Sequence, residues 1–85
     1  MHLLHDQGGW RITYAHPDKG LKTSFLKERT LMNAMSVFNT LDATSGFKII
    51  GDLIIDRINL DGVLTDTFLM PGRYAVPKRI GPRRG

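Results

Sequence analysis

Apolar residues recur at three- and four-residue intervals in residues 30–41, which predicts a helix with one apolar face. The residues of that face are Leu31, Ala34, Met35, Phe38 and Leu41. Thr30 directly precedes the face, and threonine accepts a backbone N–H in the first turn of many helices. Gly46 follows a run of poor helix formers and suits the left-handed residue that often ends a helix.

Segments that alternate between apolar and polar residues lie on both sides of the helix and predict β-strands. Residues 10–15 form the first strand, and residues 21–27 return after the turn-forming sequence His-Pro-Asp-Lys-Gly. Residues 47–60 are the longest strand-like run. Gly51 interrupts that run, and we expect a bulge or a bend there.

Asp61 and Gly62 lie between two alternating segments and predict a two-residue type I′ turn, with Leu60 opposite Val63. The same register sets three further cross-strand pairs, which are Arg57 with Asp66, Ile55 with Phe68, and Leu53 with Met70. Opposite charges in such a pair predict an ion pair between Arg57 and Asp66, with a contribution of about 0.2 to 1 kcal/mol.

The sequence therefore predicts an α+β fold, with a single helix packed on a mainly antiparallel sheet in the order ββαββ. Residues 73–76 predict an additional short edge strand, which Pro77 ends. We expect residues 1–76 to form a single domain and residues 77–85 to form a basic, flexible tail that contains proline and glycine. A chain of 85 residues buries only roughly 60% of its unfolded surface, which disfavours a deep active-site cleft.

The net charge of +4 comes entirely from the predicted tail. Basic and acidic residues cancel in residues 1–76, and the excess lies in Lys78, Arg79, Arg83 and Arg84. These four side chains would neutralise about four phosphates, and the affinity would then fall with salt at a slope near −4. Nucleic-acid binding through the tail is therefore one functional hypothesis, and a solubilising terminus is its alternative.

We find no arrangement of residues that predicts catalysis, a cofactor or a metal. The serines lie in no nucleophile elbow, and no phosphate-binding loop is present. Asp52 and Asp56 are interpreted as solubilising charges on a strand. His2 and His5 have the side chain of a metal ligand, but only His16 adds a third imidazole, so we interpret them as part of a solvated terminus. We accordingly expect a protein that is not an enzyme.

The sequence contains no cysteine, no apolar run of membrane-spanning length and no signal-peptide pattern, which predicts a soluble cytoplasmic protein without a membrane partner. Several small bacteriophage proteins that inhibit host enzymes share its size and its hairpin-helix-strand layout. By this analogy we predict a non-enzymatic inhibitor or modulator that docks on a larger protein complex in the host cytoplasm.

The candidate residues for partner binding are Trp10, Tyr14, Met32 and Tyr74, because aromatic and methionine side chains often dominate protein interfaces. Core packing is the alternative role for Trp10 and Tyr14. A free sheet edge would also allow a dimer by strand pairing. Pairing of this kind leaves open a third function, in which a homo-oligomer sequesters a small anionic ligand.

Overall fold

In the residues that a computed structural model describes, the chain forms one helix and a five-stranded antiparallel sheet. The model describes residues 8–45, 50–72 and 75–82, and side chains within residues 8–40, 51–72 and 75–82. The elements are β1 (Gly9–His16), β2 (Gly20–Leu26), α1 (Leu31–Ser45), β3 (Ile50–Ile58), β4 (Leu64–Met70) and β5 (Lys78–Arg79). The strands lie in the order β2-β1-β3-β4-β5, and every neighbouring pair is antiparallel. The predicted α+β fold is confirmed.

The hydrophobic core lies where the apolar face of α1 covers one side of the sheet. Its buried members come from the helix and from the central strands, and they are Trp10, Ile12, Tyr14, Ala34, Met35, Phe38, Leu53, Ile55 and Met70. Leu31 is partly buried against them. Four of the five residues on the predicted helical face therefore pack as expected, and the side chain of Leu41 lies outside the described residues.

The helix begins where the sequence predicts. The hydroxyl oxygen of Thr30 accepts a hydrogen bond from the backbone N–H of Asn33 at 3.1 Å, and the carbonyl of Thr30 accepts one from Ala34 at 3.0 Å. The helix continues to Ser45, four residues beyond the apolar stripe, because no proline or glycine interrupts it before Gly46.

Replacing Thr30 by alanine is expected to lower the free energy of unfolding by about 1 kcal/mol, since the N–H of Asn33 then loses its acceptor. Urea denaturation followed by circular dichroism measures this loss. Thr30→Ser is the matched control because it keeps the hydroxyl, and it should retain most of the stability. Equal losses in the two variants would show that the cap contributes nothing.

A bulge at Gly51 bends β3, as the sequence predicts. Thr13 pairs with Ile54 and Ala15 pairs with Ile50, so two extra residues of β3 are inserted between these pairs. Gly51 has a φ of 78°, a left-handed conformation that glycine adopts without steric cost. Beyond the bulge, the register of β1 and β3 places Ile12 beside Ile55 in the core.

The hairpin of β3 and β4 has the predicted register but not the predicted turn. The pairs of Leu53, Ile55 and Arg57 with β4 are those expected from the sequence. A type I′ turn requires a positive φ at Asp61, and among the described residues only glycines have one. The backbone N–H of Gly62 instead donates to the carbonyl of Asn59 at 2.9 Å, which makes a tight turn one residue earlier than predicted.

Asn59 stabilises this turn. A bulge at Thr65 compensates for the one-residue shift of the turn. The side-chain oxygen of Asn59 accepts hydrogen bonds from the backbone N–H groups of Asp61 and Val63, both at 2.9 Å. Ile58 pairs with Leu64 whereas Arg57 pairs with Asp66, so Thr65 is an extra residue in β4. This bulge restores the predicted register for the rest of the hairpin.

Of the edge strand predicted at residues 73–76, the described residues Ala75 and Val76 belong to no strand. The edge strand is β5, where Lys78 pairs with Leu69 and Arg79 pairs with Phe68. It begins after Pro77 because proline has no backbone N–H to donate to a neighbouring strand. The start of the predicted tail is therefore part of the sheet, whereas Arg73, Tyr74 and residues 83–85 lie outside the described residues.

Candidate functional site

A groove of about 520 Å³ separates α1 from the end of the sheet at β4, and we call it the α1 groove. Its helical wall consists of Leu31, Met32, Met35, Ser36 and Asn39. The opposite wall consists of Met70, at the end of β4, and of Ala75 and Pro77 in the connection to β5. The volume is within the range of sites that hold small molecules or single large side chains.

The helical wall arises from a second stripe of residues beside the core-facing stripe of α1. Met32, Met35, Ser36 and Asn39 follow each other at intervals of three, one and three residues, and therefore share one side of the helix. Met35 and Met70 are 8% and 3% exposed and form the floor, whereas Met32 is 81% exposed and stands at the rim. The groove is thus a continuation of the core that is open to solvent.

Asn39 introduces a polar atom into this apolar groove. Its side-chain oxygen Oδ1 is buried and has no hydrogen-bond partner. A buried acceptor without a donor costs about 1 to 3 kcal/mol of stability, so this arrangement is unfavourable in the free protein. Because Oδ1 has almost no accessible surface, a donor in the groove would pair with it only once the Asn39 amide turns towards the groove.

Of the three described residues that were predicted to bind a partner, Met32 alone lies in the groove. Trp10 and Tyr14 are 4% and 7% exposed and belong to the core, which supports the alternative role given to them. The ring of Tyr14 meets Phe38 edge-on, with the ring centroids 5.2 Å apart. Tyr74 lies outside the described residues.

The ion pair expected between Arg57 and Asp66 is absent from the described contacts. The two residues face each other across the hairpin, but the carboxylate of Asp66 accepts a hydrogen bond from Nε of Arg79 at 2.8 Å and forms an ion pair with its Nη2 at 2.7 Å. Arg57 lies over the ring of Trp10, 5.1 Å from its centroid. The pairing changes because β5, in its unexpected place, brings a second arginine to Asp66.

The position of Arg79 also bears on the hypothesis of nucleic-acid binding. Its guanidinium group is bound to Asp66, which leaves its charge partly neutralised, whereas Lys78 is exposed. Arg83 and Arg84 lie outside the described residues. Binding of nucleic acid through these four residues stays a prediction, as does the sequestration of an anionic ligand.

Asp56 is not the solubilising surface charge that the sequence analysis expected, because its side chain is completely buried. One carboxylate oxygen accepts hydrogen bonds from Arg11, at 3.3 Å from Nε and 3.1 Å from Nη2. The other accepts one from the hydroxyl of Thr67 at 2.8 Å. The three side chains lie in one row across β1, β3 and β4, on the sheet face opposite the core.

The groove residues that sequence reasoning missed are Ser36, Asn39, Met70, Ala75 and Pro77. A signal for Asn39 was present, because it continues the spacing of Met32 and Met35 as the only amide in that stripe. The predicted hairpin register placed Met70 on the apolar face of the sheet but did not place it beside the helix. No local pattern marked Ser36, Ala75 or Pro77 as groove residues.

The described residues contain neither a cluster of metal ligands nor a membrane-spanning helix. No group of three or more histidine, aspartate or glutamate side chains lies close enough to hold a metal ion. Within the same part of the chain, no helix has both the length and the apolar character needed to cross a membrane.

No protein-family model, no curated protein and no solved structure matches this chain. Its function must therefore be argued from its own surface.

Proposed function

We propose that this chain is a non-enzymatic binding protein that docks on a larger protein through the α1 groove. The observation that carries the proposal is an apolar groove with an exposed methionine at its rim and, in its wall, Asn39, whose buried Oδ1 has no hydrogen-bond partner. The complementary group is an apolar side chain with a hydrogen-bond donor, such as the indole of tryptophan or the phenol of tyrosine. Both combine a large apolar surface with one N–H or O–H group.

The methionines of the groove support a protein partner. Their side chains are unbranched and polarisable, so they adapt to the shape of an inserted ring and make favourable contacts with aromatic groups. Met32 is exposed at the rim, where it would cover the inserted side chain. We further propose that docking blocks or redirects the partner, by analogy of size and layout with small bacteriophage inhibitors of host enzymes.

Met32→Glu tests the groove, because Met32 is 81% exposed and its replacement should not affect folding. The unmodified chain and this variant are immobilised and exposed to lysate of the source organism, and the captured proteins are compared by quantitative mass spectrometry. Leu60→Glu is the matched control, since Leu60 is 57% exposed and lies on the turn between β3 and β4. A partner of the groove is lost with Met32→Glu and kept with Leu60→Glu.

Calorimetry with the purified partner then gives the size of the effect. Burial of a methionine contributes about 1.5 to 3 kcal/mol, so Met32→Glu should weaken binding about 10- to 150-fold. The partner's own activity, titrated with the unmodified chain, shows whether docking inhibits it. Equal affinities of Met32→Glu and Leu60→Glu for every captured protein would refute the groove as the docking site.

Asn39→Leu provides a second, independent measure of the same proposal. It should leave the free protein at least as stable as the unmodified chain, because it removes the buried oxygen without a partner. It should also weaken partner binding, since the donor of the partner then remains unsatisfied. A residue that served only to pack the helix would not show these opposite effects.

A further inference from the structure

The outer edge of β2 is the longest unpaired strand edge in the part of the chain that the structure describes. β2 is hydrogen-bonded to β1 on one side and ends the sheet on the other. Its seven residues include no proline, and the bulges of the sheet lie elsewhere. Leu21 and Phe25 on this strand are 78% and 49% exposed. Exposed apolar edges of this kind favour pairing with another strand.

The sequence of β2 is symmetric in its pattern of apolar and polar residues. Leu21, Lys22, Thr23, Ser24 and Phe25 give the same order, apolar-polar-polar-polar-apolar, in both directions. We propose that two copies of this chain pair through β2 in antiparallel orientation, with Thr23 on the two-fold axis. Leu21 of each copy then lies directly opposite the partner's Phe25, and the two pairs lie on the same face of the joined sheet.

The ring of Phe25 is already packed against Gly9 within a single chain. Phe25 pairs with Arg11 on the face of the sheet opposite the core, and its ring covers Gly9. A Cβ at Gly9 would lie 2.5 Å from Cζ of Phe25 and 2.8 Å from the carbonyl oxygen of Leu26, so only glycine leaves room for the ring. The apolar contact therefore requires little ordering of Phe25 on association.

The paired sheet leaves the α1 groove accessible. β2 forms one edge of the sheet, whereas the groove lies beside β4 and the connection to β5 at the other side. Pairing around an axis perpendicular to the sheet joins the two sheets edge to edge and places both helices on the same face. The inference is thus independent of the proposed function, and each dimer would present two grooves.

Charges limit the strength of this dimer. Lys22 stands opposite the partner's Ser24, but Lys19 would face the partner's Lys27 at the ends of the pairing. Like charges in opposite positions are unfavourable, and a single pair of edge strands buries a small interface. We therefore expect a dissociation constant on the order of micromolar or weaker. Added salt should tighten the dimer, because it screens the lysines.

A cysteine at the two-fold axis tests the register. The chain has no cysteine, so Thr23→Cys introduces a single thiol that meets its own copy at the distance of directly opposed strand residues. That distance suits a disulfide. Thr65→Cys is the matched control, since Thr65 is also an exposed threonine on a strand. Under mild oxidation at equal concentration, Thr23→Cys should cross-link much faster, and equal rates would overturn the proposal.

Light scattering of the unmodified chain tests the dimer without a covalent link. The mass should rise from that of a monomer towards that of a dimer between about 10 and about 500 µM, concentrations that bracket the expected dissociation constant. Leu21→Lys with Phe25→Lys should abolish the rise, and Leu60→Lys with Val63→Lys, two exposed apolar residues on the β3–β4 turn, should preserve it. A monomeric mass of the unmodified chain at every concentration would overturn the proposal.

Discussion

Replacing Phe38 by alanine should lower the free energy of unfolding by about 3 to 5 kcal/mol. Phe38 is 3% exposed, projects from the centre of α1 onto the sheet, and meets the ring of Tyr14 edge-on at an interplanar angle of 67°. Its removal leaves a cavity between helix and sheet and also deletes a favourable ring pair. Urea denaturation measures the loss, with the fluorescence of Trp10, the single tryptophan, as the signal.

Phe25→Ala is the matched control, because the same substitution there removes a ring that is 49% exposed and outside the core. It should cost far less than Phe38→Ala. An 85-residue domain is stabilised by only about 4 to 13 kcal/mol, so Phe38→Leu provides a milder variant that keeps a measurable folded state. If Phe38→Ala cost no more than Phe25→Ala, the helix could not cover the sheet as described.

Replacing Arg11 by methionine should cost about 3 kcal/mol, the second largest effect we expect. Methionine keeps most of the apolar stem of the arginine but removes the two hydrogen bonds to the carboxylate of Asp56. Because the side chain of Asp56 is fully buried, its charge then lacks the guanidinium partner that compensates for its removal from water. Urea denaturation near neutral pH measures the loss.

Arg79→Met is the control for Arg11→Met, since it breaks an arginine–aspartate pair of similar geometry at the surface. Arg79 and Asp66 have side chains that are 59% and 29% exposed, and such pairs contribute about 0 to 1 kcal/mol. Adding Asp56→Asn to Arg11→Met should recover part of the stability, because the amide can still accept from Thr67 and carries no charge. If Asp56→Asn did not reduce the stability loss of Arg11→Met, that loss would come from packing and not from the buried charge.

The sequence predicted the core of this fold because the core depends on periodicity. The spacing of Ala34, Met35 and Phe38 fixed the buried face of α1, and the alternation around Ile55 fixed the buried face of β3. The cross-strand pair of Leu53 and Met70 was predicted correctly from an incorrect turn. Register is specified by which residues must be buried, so it survives a different conformation of the connecting turn.

The partners of charged side chains were predicted less well than the core. More than one side chain of the same charge can reach a given carboxylate, and the sequence does not show which one does. Asp66 has Arg57 opposite it and Arg79 beside it, and only the position of β5 decides between them. Asp56 lay in a strand where alternation predicted exposure. Its burial follows from neighbours on two other strands, Arg11 and Thr67, which are distant in the sequence.

The candidate site could be predicted only in part for a similar reason. Met32 was identified because it lies outside the core stripe and because the thioether of methionine adapts to varied partners. The groove beside it depends on where Met70 and Pro77 are placed after the chain reverses, which involves contacts between distant segments. The lack of a partner for Asn39 Oδ1 is a property of those surroundings and cannot be recognised in a local pattern.

The bulge at Thr65 separates the tip of the β3–β4 hairpin from the strand pairs that build the core. The extra residue adjusts the alignment of residues near Asn59 without moving Ile55 or Phe68. Length changes at the tip can be absorbed in the same way. Between Asp61 and Gly62, the chain should thus accept an inserted epitope or a fluorescent label with little effect on the rest of the molecule.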